Sequence, residues 1–187
     1  PDPLGDGNDP LTEEDTGTFI RRIDSLNSAN DFHGGELGLL ARWERNCWSL
    51  DVTGKFALGS TTTSTDIGGS TRVIETLDGI DVSRIDYAGG LLALPSNMGR
   101  YREGRFAVMS EVEIDLRREL VCNLWLRFGY NLLAWSRVGR AADQIDLGVN
   151  PSQMESGELV GQARPTFTPT TTSFWAQGLN IGVEYQF

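Results

Sequence analysis

No apolar run in this sequence approaches the 18 or more residues of a membrane-spanning helix. Basic residues are also scarce, 16 Lys and Arg against 26 Asp and Glu, for a net charge of −10. That balance argues against a nucleic-acid partner, because little here would neutralise phosphates. There is a single histidine, His33, and no Ser or Cys accompanies it in a nucleophile motif. It reads as a structural or solvent-exposed side chain, so no catalytic residue is assigned and the chain is not expected to be an enzyme. The glycine-rich stretches do not match a phosphate-binding loop leading into a helix, and no cofactor is expected. Nor does any segment carry a convincing stripe of helical period. The absence of a membrane helix still leaves a membrane β-barrel open, because polar residues facing the lumen dilute each lipid-facing stripe.

What is present is alternation with period two. In residues 31–45, Leu37, Leu39, Ala41 and Trp43 oppose Glu36, Gly38, Arg42 and Glu44. In 48–60, Trp48, Leu50, Val52, Phe56 and Leu58 oppose Ser49, Asp51, Thr53, Lys55 and Ala57. In 105–117, Phe106, Val108, Val112, Ile114 and Leu116 oppose Met109, Glu111, Glu113, Asp115 and Arg117. In 123–136, Leu124, Leu126, Phe128, Tyr130 and Leu132 oppose Asn123, Trp125, Arg127, Gly129 and Asn131. The tail "QGLNIGVEYQF" (177–187) sets Leu179, Ile181, Val183, Tyr185 and Phe187 against Gly178, Asn180, Gly182, Glu184 and Gln186. The expected fold is all-β.

Connections decide what kind. Short turns at Asn46-Cys47 and at 118–122 alternate with long connections, 61–104 and 137–172, rich in Gly, Thr, Ser, Asp and Pro. Soluble domains rarely carry two such connections. Tight turns at one end and long loops at the other suit an antiparallel up-and-down transmembrane β-barrel of the bacterial outer membrane, with periplasmic turns and extracellular loops. On that reading 1–30 is an acidic extracellular loop segment, 31–187 supplies about five C-terminal strands, and the C-terminus is periplasmic. A soluble β-sandwich would show the same alternation; the asymmetry of the loops and the terminal aromatic favour the barrel.

The faces then acquire roles. Glu36, Arg42, Glu44, Asp51, Lys55, Glu111, Glu113, Asp115, Arg127 and Glu184 are expected to face the lumen, with Arg117 beside them. Leu50, Val112, Leu126, Phe128, Leu179, Ile181 and Val183 are expected to face outer-membrane lipid. Tyr185 and Phe187 resemble the C-terminal signal that barrel assembly machinery reads. The last strand should pair antiparallel with 123–136, Phe174 near Trp135 and Phe187 near the Asn123 end. Five strands leave open edges, which hydrocarbon does not tolerate; upstream strands of the same protein, or another membrane chain, are the expected partners. Two readings of the lumen stay open. The charges suit a polar, cation-leaning pore, while inward Trp125, Met109 and Leu133 suit a plugged one whose loops bind partners.

Two weaker signals remain. "DPLGDGNDPLTE" (2–13) fits a calcium loop at Asp2, Asp6 and Glu13, but Leu4 stands where an oxygen ligand belongs and flanking helices are missing, so no metal is expected. Cys47 and Cys122 fall at turns two strand spacings apart, about 10 Å, beyond the usual reach of a disulfide, though turn flexibility or a cysteine on upstream strands would still let either pair.

Several phrases occur in order with family-like spacing: "DFHGGELGL" (31–39), "GGLLALPSNMGRYREGRFAVMSEV" (89–112), "GYNLLAWSRVGRAADQIDLGVNP" (129–151), "GQARPTF" (161–167) and "FWAQGLNIGVEYQF" (174–187). Over about residues 24–187 the chain resembles the C-terminal part of the beta-barrel porin family seven. The resemblance implies an outer-membrane barrel made with a signal peptide, with further strands upstream and about ten strands in all.

Overall fold

A computed structural model describes residues 16–185. Asp2, Asp6, Glu13 and Phe187 lie outside the described residues. Among the described residues the regular structure is antiparallel strand, with two short 3-10 turns at Ala141–Gln144 and Pro151–Ser156. The strands are β1 (Thr16–Arg45), β2 (Trp48–Leu77), β3 (Ile80–Ala88), β4 (Gly99–Val121), β5 (Leu124–Val138) and β6 (Thr172–Tyr185). They form one sheet in the order β1-β2-β4-β5-β6, with β3 paired to β2 off that path.

Turn chemistry sets the hairpins. Asn46 (φ 53°) and Asn123 (φ 66°) take the left-handed conformation that asparagine tolerates, and each closes a tight turn. Asp78 (φ 50°) and Gly79 (φ 77°) both have positive φ, as a type I′ hairpin requires, and they join β2 to β3. At Gly34 and Gly59 the backbones of β1 and β2 approach so closely that a Cβ on either would meet the other strand's main chain.

The chain divides into two compact units, and β1 and β2 contribute to both. The first comprises the described residues of Pro1–Ser25 together with Ile67–Gly99 and Asp146–Thr166. Here β2 and β3 run in register from Ser70↔Ala88 to Leu77↔Ile80, with an irregularity at Glu75/Thr76. Beyond β3, the Asp24 carboxylate accepts from the backbone N–H groups of Leu91 (3.0 Å), Leu92 (3.2 Å) and Ala93 (2.9 Å). Asn97 accepts from Leu94 N (2.8 Å) and donates to Leu92 O (2.9 Å), closing the same loop. Leu94 and Ala93 are fully buried, with Ile67 and Thr71 nearly so. Gln153 donates to Ser96 Oγ and to Arg164 O, and Asp146 accepts from the N–H groups of Gly148 and Thr166 and from Arg164. The first two of those amides, then Arg164, hold the Asp146 carboxyl below the usual carboxylate range.

The second unit comprises Leu26–Asp66, Arg100–Ile145 and the described residues of Phe167–Phe187. β4 and β5 pair from Met109↔Trp135 to Val121↔Leu124, and β5 and β6 from Leu124↔Tyr185 to Trp135↔Phe174. The expected antiparallel pairing of the last strand, with Phe174 beside Trp135, is therefore present. β1 and β6 end the path and are exposed along almost their whole length, unlike β2, β4 and β5 between them.

Strand extents correct the sequence reading. Residues 16–30, expected as loop, belong to β1, and most of 61–104 is strand: β2 continues to Leu77, β3 follows, and β4 begins at Gly99. Irregular backbone in that stretch is confined to 89–98 and the turn at 78–79. The physical reason is that "STTTSTD" (60–66) is β-branched and pairs well as strand yet offers no hydropathic contrast between its faces.

Candidate functional site on the inner face of the second unit

Trp135 identifies the inner face. From β5 its Nε1 donates to Thr61 Oγ1 on β2 (2.8 Å), passing over β4. Its ring also meets Phe32 of β1 edge-on, with centroids 6.3 Å apart at 86°. In a flat sheet β1 and β5 would lie three strand spacings apart, about 14 Å. The sheet of this unit therefore curls, and Trp135, Thr61 and Phe32 share its concave side.

At this level the chain leaving β5 folds inward. Gly139 N donates to Asn30 Oδ1 (2.8 Å), while Gly139 O accepts from Asn30 Nδ2 (2.9 Å) and Ser28 Oγ (2.9 Å). Asn30 Oδ1 also accepts from Thr63 Oγ1 (2.8 Å), so one side chain ties β1, β2 and the segment after β5. Gln144 then exchanges hydrogen bonds with Thr170: its Nε2 donates to Thr170 O (2.5 Å) and its Oε1 accepts from Thr170 N (3.0 Å). Phe167 stacks on Tyr101 at 3.9 Å between centroids, and these residues enclose a crevice with Thr63, Thr65 and Arg105.

From Trp135 toward the tight turns, the same face carries ion pairs. Lys55 Nζ lies 3.1 Å from Glu111 Oε2, with Glu36 and Glu113 near enough to act on it electrostatically. Arg127 binds Asp115 (2.8 Å), and Glu113 and Glu184 act on it in the same way. Asp51 accepts two bonds from Arg42 (2.8 and 3.0 Å) and one from Arg117 (2.6 Å), a carboxylate shared by β1 and β4 across β2. Near the turns a recess of about 340 Å³ is lined by Arg42, Glu44, Ser49, Arg117, Trp125 and Glu184 among others. The structure thus gathers Glu36, Arg42, Glu44, Asp51, Lys55, Glu111, Glu113, Asp115, Arg127 and Glu184 into this charged network and its recess.

The opposite face is apolar. Leu179, Ile181 and Val183 of β6 are 80, 74 and 66 % exposed, with Tyr185 beside them, and Phe128 and Val112 are also exposed. Leu50 and Leu126 are half-buried. A soluble protein would bury such a stripe, so this face is inside-out by the standards of water. His33 is exposed on β1. Cys47 and Cys122 are exposed and free at the two turns, and Glu119 N donates to Cys47 O (2.8 Å), which holds the turn regions together. Among the described residues no group of three or more His, Cys, Asp or Glu side chains is placed to hold a metal ion. Sequence reasoning missed Asn30, Thr63, Gly139 and Gln144, which carry no charge or hydropathic contrast to mark them. Their signal is spatial.

The model of the family described as "Putative beta barrel porin-7 (BBP7)" matches residues 7–187. The chain belongs to this family. No curated protein matches it. Membership in the porin-7 family accounts for the resemblance over 24–187. It implies a porin-like barrel in the outer membrane and points to a non-enzymatic protein.

Proposed function

We propose that this chain forms part of a transmembrane β-barrel of the bacterial outer membrane, and that its charged inner face lines an aqueous path for small solutes. The separation of charge by face carries the reading. Along β4 the outer positions from Gly104 to Leu116 hold no charged residue, while the inner positions of the same stretch include Glu111, Glu113 and Asp115. Hydrocarbon would accept the first row and water the second. Carboxylates exceed guanidinium and ammonium groups on the inner face, which favours cations over anions. In this reading the tight turns and the end of β6 are periplasmic and the long connections extracellular.

The two edge strands need partners, because unpaired backbone groups are costly in lipid. β1 and β6 run in the same direction, so closing the sheet with antiparallel pairs alone takes an odd number of added strands. Five would complete a barrel of ten. Upstream strands of a longer protein are the proposed source, and another membrane chain is the alternative.

Planar-bilayer recording of the full-length protein tests the path. Stable channels whose reversal potential in a salt gradient favours cations are expected. A folded barrel that stays silent would instead support a second reading, a plugged scaffold whose loops bind partners at the cell surface. One observation favours that alternative: the segment after β5 lies on the inner face, pinned by Asn30 to Gly139.

A further inference from the structure

On the outer face of the second unit, the turn ends of β1, β2 and β4 carry aromatic or basic residues. Trp43 and Arg45 close β1, Trp48 opens β2, and the Arg118 guanidinium lies 5.0 Å above the centre of the Trp48 ring from β4. Trp43, Arg45, Trp48, Leu50 and Leu116 line a groove of about 410 Å³ with mostly apolar walls. Both tryptophans are open to the surroundings, 61 and 44 % exposed. By alternation, Arg45 and Arg118 are the charged residues that interrupt the outer face at this end, and neither has a carboxylate among the groove residues to neutralise it. In a protein of net charge −10, two cations on one face, their neighbours Glu44 and Glu119 turned to the other by alternation, form a distinct chemical surface beside an apolar slot.

We infer that this groove is a binding site for an anionic phospholipid of the membrane leaflet at the turn end. Guanidinium groups bind phosphate through charge-assisted hydrogen bonds. Indole rings settle at the level of the headgroups, and Leu50 and Leu116 offer a bed for the first part of an acyl chain. Arg118 is already held in place by the Trp48 face, so little side-chain freedom is lost when lipid binds. The charge on the groove selects anionic headgroups over zwitterionic ones, and its apolar walls select a lipid over a bare anion. The inference rests on the membrane-barrel reading above.

The test uses the full-length protein folded in detergent micelles. Native mass spectrometry counts lipid retained from equal amounts of phosphatidylglycerol and phosphatidylcholine, and the heat-induced shift of the folded band on gels reports the barrel. The expected result is a preference for phosphatidylglycerol of roughly 30-fold, from two cations near the surface. That preference should fall close to unity in R45Q/R118Q, survive in large part in R45K/R118K, and resist added inorganic phosphate. A folded barrel with no preference, with one that R45Q/R118Q leaves intact, or with one that inorganic phosphate abolishes, overturns the lipid site alone. A protein that never gives a folded band in detergent or lipid overturns the site and the barrel reading together. Should R45Q/R118Q fail to fold, the wild-type preference must collapse at high salt, and persistence there overturns the inference.

Discussion

The two units of this chain bury different kinds of side chain. The first withdraws Leu94, Ala93 and Ile67 from solvent, and buried Asn97 and Gln153 spend their polar atoms on backbone groups, while Ile80, Val82, Leu147 and Val160 stay exposed. In the second unit the large apolar residues, among them Leu37, Leu39, Phe106, Leu179 and Ile181, are exposed. Its inner face holds paired charges and buried threonines instead, with Thr61 and Thr65 at 1 and 2 % exposure. The contrast teaches that hydropathy totals are uninformative here. What differs is what each unit buries: Leu94 and Ile67 with backbone-bonded amides in the first, threonines in the second.

Charge placed on the outer face should break the comparison most sharply. Val112→Arg and Leu126→Arg are each expected to cost about 2–4 kcal/mol if those positions lie near the bilayer midplane. Asn131→Arg, on the inner face beside Glu113, should be tolerated far better. Urea unfolding of protein folded into lipid vesicles measures all three, and equal costs on the two faces would return the second unit to the class of soluble sandwiches. A smaller loss is expected from Trp135→Ala, about 2 kcal/mol, since it removes a half-buried ring with its contact to Phe32. Trp135→Phe keeps the packing and gives up only the bond to Thr61, about 1 kcal/mol. If Trp135→Ala also raises single-channel conductance, the ring narrows the path as well as bracing the sheet.

Smaller effects should fall on the first unit alone. Asp24→Ala removes the acceptor for three successive amides, and hydrogen exchange of Leu91, Leu92 and Ala93 should quicken on the order of tenfold. Exchange in β4 and β5 should not change. Asp146 supplies a pH test. Its carboxyl is held below the ordinary value of 3.8, mainly by the N–H groups of Thr166 and Gly148 and then by Arg164. A depressed folded-state value means the contribution is fully present above the unfolded value and disappears as pH falls through the folded one. Proteolysis of 146–166 should therefore accelerate only under acid conditions below that ordinary value. In Asp146→Asn the acid-dependent step should disappear.

Alternation made the second unit legible because its two faces differ in chemistry at almost every step. Phe128 against Arg127 or Ile181 against Asn180 tells a reader which way each side chain points, and the tight turn at Asn123 sets the pairing of β4 with β5. Thr61, Thr62, Thr63 and Ser64 give no such cue. The threonines' β-branching favours strand, but a row of hydroxyls looks the same from either side and gives no alternation to read. Asp78-Gly79 was an available hairpin signal in the middle of that stretch. The inward turn after β5 could not be read at all, because Asn30 and Gly139 are brought together only by the curl of the sheet.

The free thiols at the two turns make the molecule a compass. Cys47 and Cys122 sit at the same end of the strands, both exposed, and there is no third cysteine in the chain. In the proposed barrel, a reagent that cannot cross a bilayer, added to one side of reconstituted vesicles, meets both sulfhydryls or neither. Labelling at these two positions thus scores sidedness without an engineered tag, and reads out the orientation of β1 to β6 at once.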